Sequence, residues 1–291
     1  MTPLITPEIP KGTRDFSPKD MAKRNYVLEK IRQVFITFGY DAIETPAIEY
    51  AKTIHGKYGD EGNKLTYTFK DHGGRMLALR YDQTVPFARY VATNYRELPM
   101  PFKRYQISPV WRADKPAKGR YREFYQCDID IVGTDSLLAE GEIASIIAAV
   151  LESLGFSEFV IKFNSRRLMN SILTQVKVAQ DKQVATIRLL DKLDKIGSDK
   201  VADMLRELLG KEKTQALLER VKVEGSNAEK VAFLEKEVLQ VDEIRNFLKV
   251  CESYRIPDRV LRFEPSLARG LDYYTGPKST LGSVTSQTRP A

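Results

Sequence analysis

The stretch from Pro101 to Gly133, PFKRYQISPVWRADKPAKGRYREFYQCDIDIVG, sets strand-forming residues beside a dense run of hydrogen-bonding side chains. Phe102 to Arg112 is rich in aromatic and β-branched residues, Tyr121 to Val132 alternates, and the turn-prone Asp114, Pro116 and Gly119 lie between them. The pattern predicts an antiparallel pair. Period two then puts Phe124, Gln126, Asp128 and Asp130 on one face of the second strand. An amide and carboxylates beside an aromatic ring are costly to bury without a partner. Arg112 falls where the first strand enters the loop, and Arg120 and Arg122 sit on its far side, so cations gather at the open end as a seat for an anion. The same residues also fit an ordinary solvated hairpin whose Arg and Asp side chains pair across the strands for roughly a few tenths of a kcal/mol each.

Upstream, Ser17-Pro18 is a helix start, with serine as cap and proline in the first turn. The helix is predicted to run to about Phe38. Val27, Leu28, Ile31, Val34, Phe35 and Phe38 recur at helical spacing as a stripe to be buried, and Gly39 stops the helix. Tyr40 to Tyr50 reads as a strand, and Pro46 confines it to an edge or ends it. Leu65 to Arg80 reads as a hairpin turning at His72-Gly73-Gly74, followed by a helix from Phe87 to Asn94 for which Asp82 or Thr84 is a cap.

Beyond the central hairpin, Leu137 to Leu154 is an amphipathic helix and Phe159 to Asn164 a short strand. From Ser165 to about Tyr254 the chain is Lys-, Glu- and Leu-rich and broken mainly at Gly197, Gly210 and Gly225, which predicts an inserted module of short helices. Its charge fits either a solvated surface or an RNA-contacting one. Strand character returns at Arg259 to Phe263, before SLARGLDYYTG from Ser266 to Gly276, which locally reads as a strand and turn with packed tyrosines.

The totals exclude several classes. The sequence has only two histidines and two cysteines, Cys127 and Cys251, with no Cys-x-x-Cys spacing, so metal sites, histidine-based triads and a disulfide framework lack support. There is no Walker-type loop, G-x-G-x-x-G or H-E-x-x-H. No apolar run approaches membrane-spanning length, and the opening MTPLITPEIPKGTRDF lacks the order of a secretory signal, so no membrane association and a cytoplasmic place are expected. A formal charge of +7 is compatible with a polyanionic partner.

Three stretches carry a family resemblance. FKRYQISPVWRADKPAKGRYREFYQCDIDIVG resembles the second signature motif of class II aminoacyl-tRNA synthetases, specifically histidyl-tRNA synthetase. ALRYDQTVPFARY is similar to that family's segment holding the amino group of histidine, and RGLDYYTG to the motif peculiar to it. The helix, strand and Pro46 near the start resemble the looser first motif, which in the family builds a homodimer interface.

The resemblance implies an α+β fold: a class II synthetase-like antiparallel β-sheet flanked by helices, with a helical insertion. It assigns residues 1–164 to the catalytic core, 165–254 to the insertion, 255–277 to a return to the core and 278–291 to a disordered tail. It implies a histidine–tRNA ligase using L-histidine, ATP with Mg2+, and tRNA(His). Arg112 and Arg269 would stabilise the reacting phosphate, with Arg120 also on ATP. Asp82, Thr84, Gln126, Asp130, Tyr273 and Tyr274 would bind histidine, Asp130 taking the imidazole N–H and Tyr273 forming a wall. No metal-binding side chains are implied. The family's pattern continues past Gly276, whereas these residues supply neither the third class II motif nor an anticodon-binding domain, so the expectation is a C-terminally truncated chain whose sheet lacks its last strands. A non-catalytic histidine-binding regulator and a dimerising or RNA-binding remnant remain as alternatives.

Overall fold

A computed structural model describes residues 6–55, 64–237, 239–267 and 279–286. The chain forms two compact units, Met1–Thr134 and Asp135–Ala291.

In the first unit, α1 spans Pro18–Thr37, and the Oγ of Ser17 accepts the Asp20 N–H at 3.2 Å as its cap. The expected stripe is not buried as a whole. Phe35 is buried, Leu28, Ile31, Val34 and Phe38 are half-buried, and Val27 is exposed along with Tyr26 and Ile36. Proline divides the next predicted strand, because Pro46 has no N–H to pair: β1 is Asp41–Ala42 and β2 is Ile48–Tyr50. The helix α2 (Ala51–Ile54) follows. Strands β3 (Thr68–Lys70) and β4 (Met76–Leu79) form the hairpin around His72-Gly73-Gly74, and β2 joins it in the order β2-β4-β3. After α3 (Thr84–Asn94) come β5 (Phe102–Trp111) and β6 (Glu123–Val132), antiparallel from Phe102 opposite Val132 to Trp111 opposite Glu123. β1 adds to β5 in parallel.

The loop between β5 and β6 is braced by the start of the chain. The Gly12 carbonyl accepts the Arg122 N–H at 2.8 Å, and Arg122 donates from Nη1 to the Lys11 carbonyl at 3.2 Å. A Cβ on Gly12 would lie 2.8 Å from Cγ of Pro116 and 2.9 Å from Cγ of Arg122, on a backbone with φ +92°. Only glycine fits that approach.

In the second unit, α4 (Leu137–Ser153) leads to β7 (Phe159–Ser165). Among the described residues seven helices follow: α5 (Arg166–Gln175), α6 (Gln180–Leu190), α7 (Leu193–Ile196), α8 (Ser198–Leu209), α9 (Lys211–Val221), α10 (Asn227–Lys236) and α11 (Asp242–Ser253). A 3-10 turn (Asp258–Val260) then enters β8 (Leu261–Phe263). β8 lies parallel to β7, so the helices form one long crossover between neighbouring strands. Phe163 of β7 packs on Phe247 of α11 and Phe263 of β8, with ring centroids 4.8 and 5.8 Å apart. Helices and strands here share one apolar core, and the division by compactness falls at Thr134, upstream of the Ser165 boundary where the composition changes.

A disordered tail is expected over 278–291, but Ser279–Ser286 is a strand, β9, antiparallel to β7 with Val284 opposite Ile161. Its β-branched Thr280, Val284 and Thr285 suit a ladder, and the open edge of β7 supplies one.

Candidate active site

Across the β5–β6 pair, Phe124, Gln126, Asp128 and Asp130 stand opposite Val110, Ser108, Gln106 and Arg104. Alternation on both strands therefore builds one polar layer. Arg104, Gln106 and Ser108 are buried, and their partners close a network: Nε2 of Gln106 donates to Oγ of Ser108 at 2.9 Å, and Oγ1 of Thr45 donates to Oε1 of Gln106 at 3.3 Å. Arg104 has no exposed side-chain surface and forms an ion pair with Asp130. Its guanidinium also lies 4.3 Å from the centre of the Phe87 ring on α3.

The segment entering α3 supplies the third side of the layer. Oδ1 of Asp82, a buried residue, accepts the Val85 N–H at 3.1 Å, and Thr84 is the first residue of the helix. Gln83 is fully buried. Its Nε2 donates to the carbonyl and Oγ of Ser108 at 3.0 and 2.9 Å and to the Gln126 carbonyl at 3.4 Å. One amide thus ties the helix start to both strands. Among the described residues, the buried Oε1 of Gln126, Oε1 of Gln83 and Nε and Nη1 of Arg104 have no hydrogen-bond partner. Unsatisfied buried groups are rare in folded proteins, so such a cluster marks a place built to receive polar atoms.

Burial pulls the Arg104 guanidinium below its usual range, against the opposing pull of Asp130, Asp128 and Asp82. The Asp128 carboxyl is pushed up to about 7, first by burial and then by Asp130, with Arg104 opposing. Burial, with Asp128 next to it, also pushes the Cys127 thiol up to about 11, which leaves it a poor nucleophile.

Of the three arginines expected together at the open end, Arg112 bonds to Tyr81, while Arg120 and Arg122 both bond to Asp114. Arg112 donates from Nε to the Tyr81 carbonyl at 3.1 Å and lies over the rings of Tyr81 and Phe124, 4.4 and 5.1 Å from their centres. Among the described residues its terminal nitrogens have no hydrogen-bond partner. Arg120, largely exposed, pairs with Oδ1 of Asp114 at 2.5 Å, and Arg122 donates from Nε to the Asp114 carbonyl at 3.2 Å. The loop therefore presents Arg112 beside the polar layer, while Arg120 and Arg122 hold the loop's own shape.

A family model described as histidyl-tRNA synthetase matches residues 12–278. The chain belongs to the histidyl-tRNA synthetase family. A histidine–tRNA ligase of Cytophaga hutchinsonii is 41% identical over 93% of this chain and 66% of the relative. That of Bacteroides fragilis is 44% identical over 93% of this chain and 65% of its own length. The chain therefore spans about two thirds of the curated relatives it matches. The crystal structure of histidyl-tRNA synthetase from Nostoc sp. PCC 7120 superposes with a TM-score of 0.85 at 30% identity, covering 97% of this chain and 66% of that one. An ATP phosphoribosyltransferase regulatory subunit/histidyl-tRNA synthetase from Bacillus halodurans C shares the fold, with a TM-score of 0.84 at 24% identity over 99% of this chain and 74% of that one. The class II synthetase-like fold expected from the sequence is the fold observed, with parallel ladders at β1–β5 and β7–β8 beside the antiparallel ones.

Of the residues that the histidyl-tRNA synthetase resemblance singles out, Asp82, Thr84, Arg112, Gln126 and Asp130 lie around the β5–β6 layer, and Arg120 lies on its loop. Arg269, Tyr273 and Tyr274 fall outside the described residues. Sequence reasoning missed Gln83 and Arg104 and gave Asp128 no role. Arg104 was within reach of it, since alternation along Phe102 to Arg112 puts Arg104, Gln106 and Ser108 on one face. Gln83 carried no such pattern.

Proposed function

We propose that this chain carries the amino-acid-activating part of a histidine–tRNA ligase. Histidine's carboxylate attacks the α-phosphorus of ATP, pyrophosphate leaves, and the histidyl group of the resulting adenylate passes to the 3′ end of tRNA(His) with release of AMP. The observation that carries the reading is the layer of Gln126, Asp130, Asp82 and the buried Arg104, in which Oε1 of Gln126 and Nε and Nη1 of Arg104 have no hydrogen-bond partner among the described residues. A carboxylate, a hydroxyl and an amide suit an ammonium because together they offer charge and acceptors. Asp82, Thr84 and Gln126 hold the amino group, and Asp130 accepts from the imidazole, its own position fixed by Arg104. Tyr273 and Tyr274 are further histidine-binding residues on this reading. Analogues that cannot pair with buried polar groups are rejected by factors of roughly 10⁴.

Negative charge grows on the phosphoryl oxygens as pyrophosphate leaves. Fixed cations there stabilise the transition state more than the ground state. Arg112 has terminal nitrogens to offer and rings that hold its plane. Arg269 is the second cation proposed for this charge, and Arg120 reaches ATP by leaving Asp114. On this reading magnesium enters with ATP as part of the substrate. The cytoplasm, where ATP and tRNA meet, is the compartment this reading implies.

A second copy of the chain is the partner proposed for the first unit. On α1, Tyr26 and Ile36 are 61% and 50% exposed. On the β2-β4-β3 sheet, Ile48, Tyr50 and Phe69 are exposed on the face that pairs Leu77 and Leu79 between them. So much exposed apolar surface is unusual on a monomer and suits a self-complementary interface.

The test is histidine-dependent exchange of pyrophosphate into ATP by the 291-residue chain, with other amino acids as controls. Exchange with histidine alone is expected. Histidine binding without exchange would instead favour a non-catalytic, regulatory relative.

A further inference from the structure

Asp128 stands on the same row of β6 as Gln126 and Asp130, between them, and is only partly buried. Its cross-strand neighbour, Gln106, has its amide engaged by Ser108 and Thr45. Among the described residues the Asp128 carboxyl makes no hydrogen bond. The charged groups that act on it are Asp130 on its own strand, Arg104 on β5, Asp82 at the entry to α3 and Arg112 beyond β5. Three carboxylates therefore share one buried arginine and a second one further off. Coulomb repulsion in a partly buried cluster disfavours ionising all of them at once.

We propose that Asp128 is a positioning residue of the amino-acid site, coupling the entry of a cationic ligand to the release of a proton. In the ligand-free chain a large share of Asp128 holds its proton around neutral pH, first because burial disfavours its charged form and then because Asp130 and Asp82 stand in the same layer. An ammonium group arriving among the carboxylates supplies the missing positive charge. Asp128 then ionises, its proton passes to solvent, and the new carboxylate adds an acceptor for the ligand. The proton count follows the position of the carboxyl's titration. Release is close to half a proton at pH 7, approaches one as pH falls somewhat below that, and vanishes towards about pH 9, where Asp128 is already ionised.

The inference rests on the amino-acid-binding reading above. Its test is calorimetric titration of L-histidine into the chain in phosphate and in Tris, whose ionisation enthalpies differ, so that the difference in heat counts protons. Histidine's own imidazole contributes equally to wild type and to Asp128→Asn, and the difference between the two proteins isolates Asp128. The expected result is release of about half a proton more by wild type at pH 7, shrinking as pH rises. Asp128→Ser repeats the comparison without an amide, and circular dichroism checks that both variants are folded. Heat with equal proton counts in all three proteins overturns the inference while leaving the site reading intact. Absence of heat from every protein overturns the site reading, and the inference with it.

Discussion

Arg104 and Asp130 occupy directly opposite positions on β5 and β6, the arginine without exposed side-chain surface and the aspartate with 30% of its side chain exposed. The pair thus has an inner, buried end and an outer end that a ligand can reach. Replacing Arg104 with Ala leaves the Asp130 charge beside a cavity. Breaking a buried ion pair from one side costs about 3–5 kcal/mol. Urea denaturation of Arg104→Ala is expected to show a loss of that size; a loss under about 1 kcal/mol would mean that the arginine is not the anchor of Asp130.

Replacing Asp130 with Ala is expected to weaken histidine binding far more than ATP binding. Equilibrium dialysis with each ligand separates the two, and equal losses would remove Asp130 from its imidazole role.

Asp128 also bears on stability. Its carboxyl titrates near 7 in the folded chain and close to the ordinary aspartate value when unfolded. Below both values the group is neutral in both states and costs nothing. As pH rises between them the unfolded chain ionises first, so the folded state loses stability through this window. Asp128→Asn is therefore expected to match wild type near pH 3.5 and to be more stable by roughly 1–3 kcal/mol at pH 8. Melting curves at the two pH values check this; a pH-independent difference would contradict it.

In the second unit, a Cβ on Gly141 of α4 would lie 2.4 Å from Cγ1 of Val250 on α11 and 3.1 Å from Cδ2 of Tyr254, the residue that caps that helix. Alanine is the better helix former, yet the crossing leaves it no room. Gly141→Ala is expected to destabilise by about 1–3 kcal/mol despite its propensity gain, and a rise in melting temperature would show that the helices separate freely.

For the proposed self-association, Ile36→Glu puts a charge on the exposed apolar side of α1. Sedimentation is expected to show wild type as a dimer and the variant shifted to monomer at micromolar concentration. Wild type sedimenting as a stable monomer would remove the interface.

Element positions were largely legible because their causes are local. The Ser17 cap, the glycines after helices and the alternation from Tyr121 to Val132 act over a few residues, and α1, β3–β4 and β5–β6 lie close to their predicted ranges. The stripe on α1 was misread because periodicity identifies an apolar face without saying whether this chain covers it. β9 was missed because a Ser- and Thr-rich segment is a strand only where an edge awaits it, and the edge of β7 comes from more than a hundred residues earlier, as Phe159 opposite Ser286 illustrates. In the site, Gln126 and Asp130 announced themselves as polar residues on a strand. Gln83 did not, since what gives it a role is the nearness of Ser108 and Gln126, which no local pattern encodes.

The β5–β6 hairpin also limits how a gene encoding it can change. Every pocket residue on these strands owes its direction to counting by twos, so deleting or inserting a single residue within β6 would exchange Gln126, Asp128 and Asp130 for Tyr125, Cys127 and Ile129. Indels of one codon in either strand are therefore lethal to the pocket even where the sheet survives. Length variation is therefore expected at the tip between Arg112 and Arg122, where the loop can lengthen while the pocket stays in register.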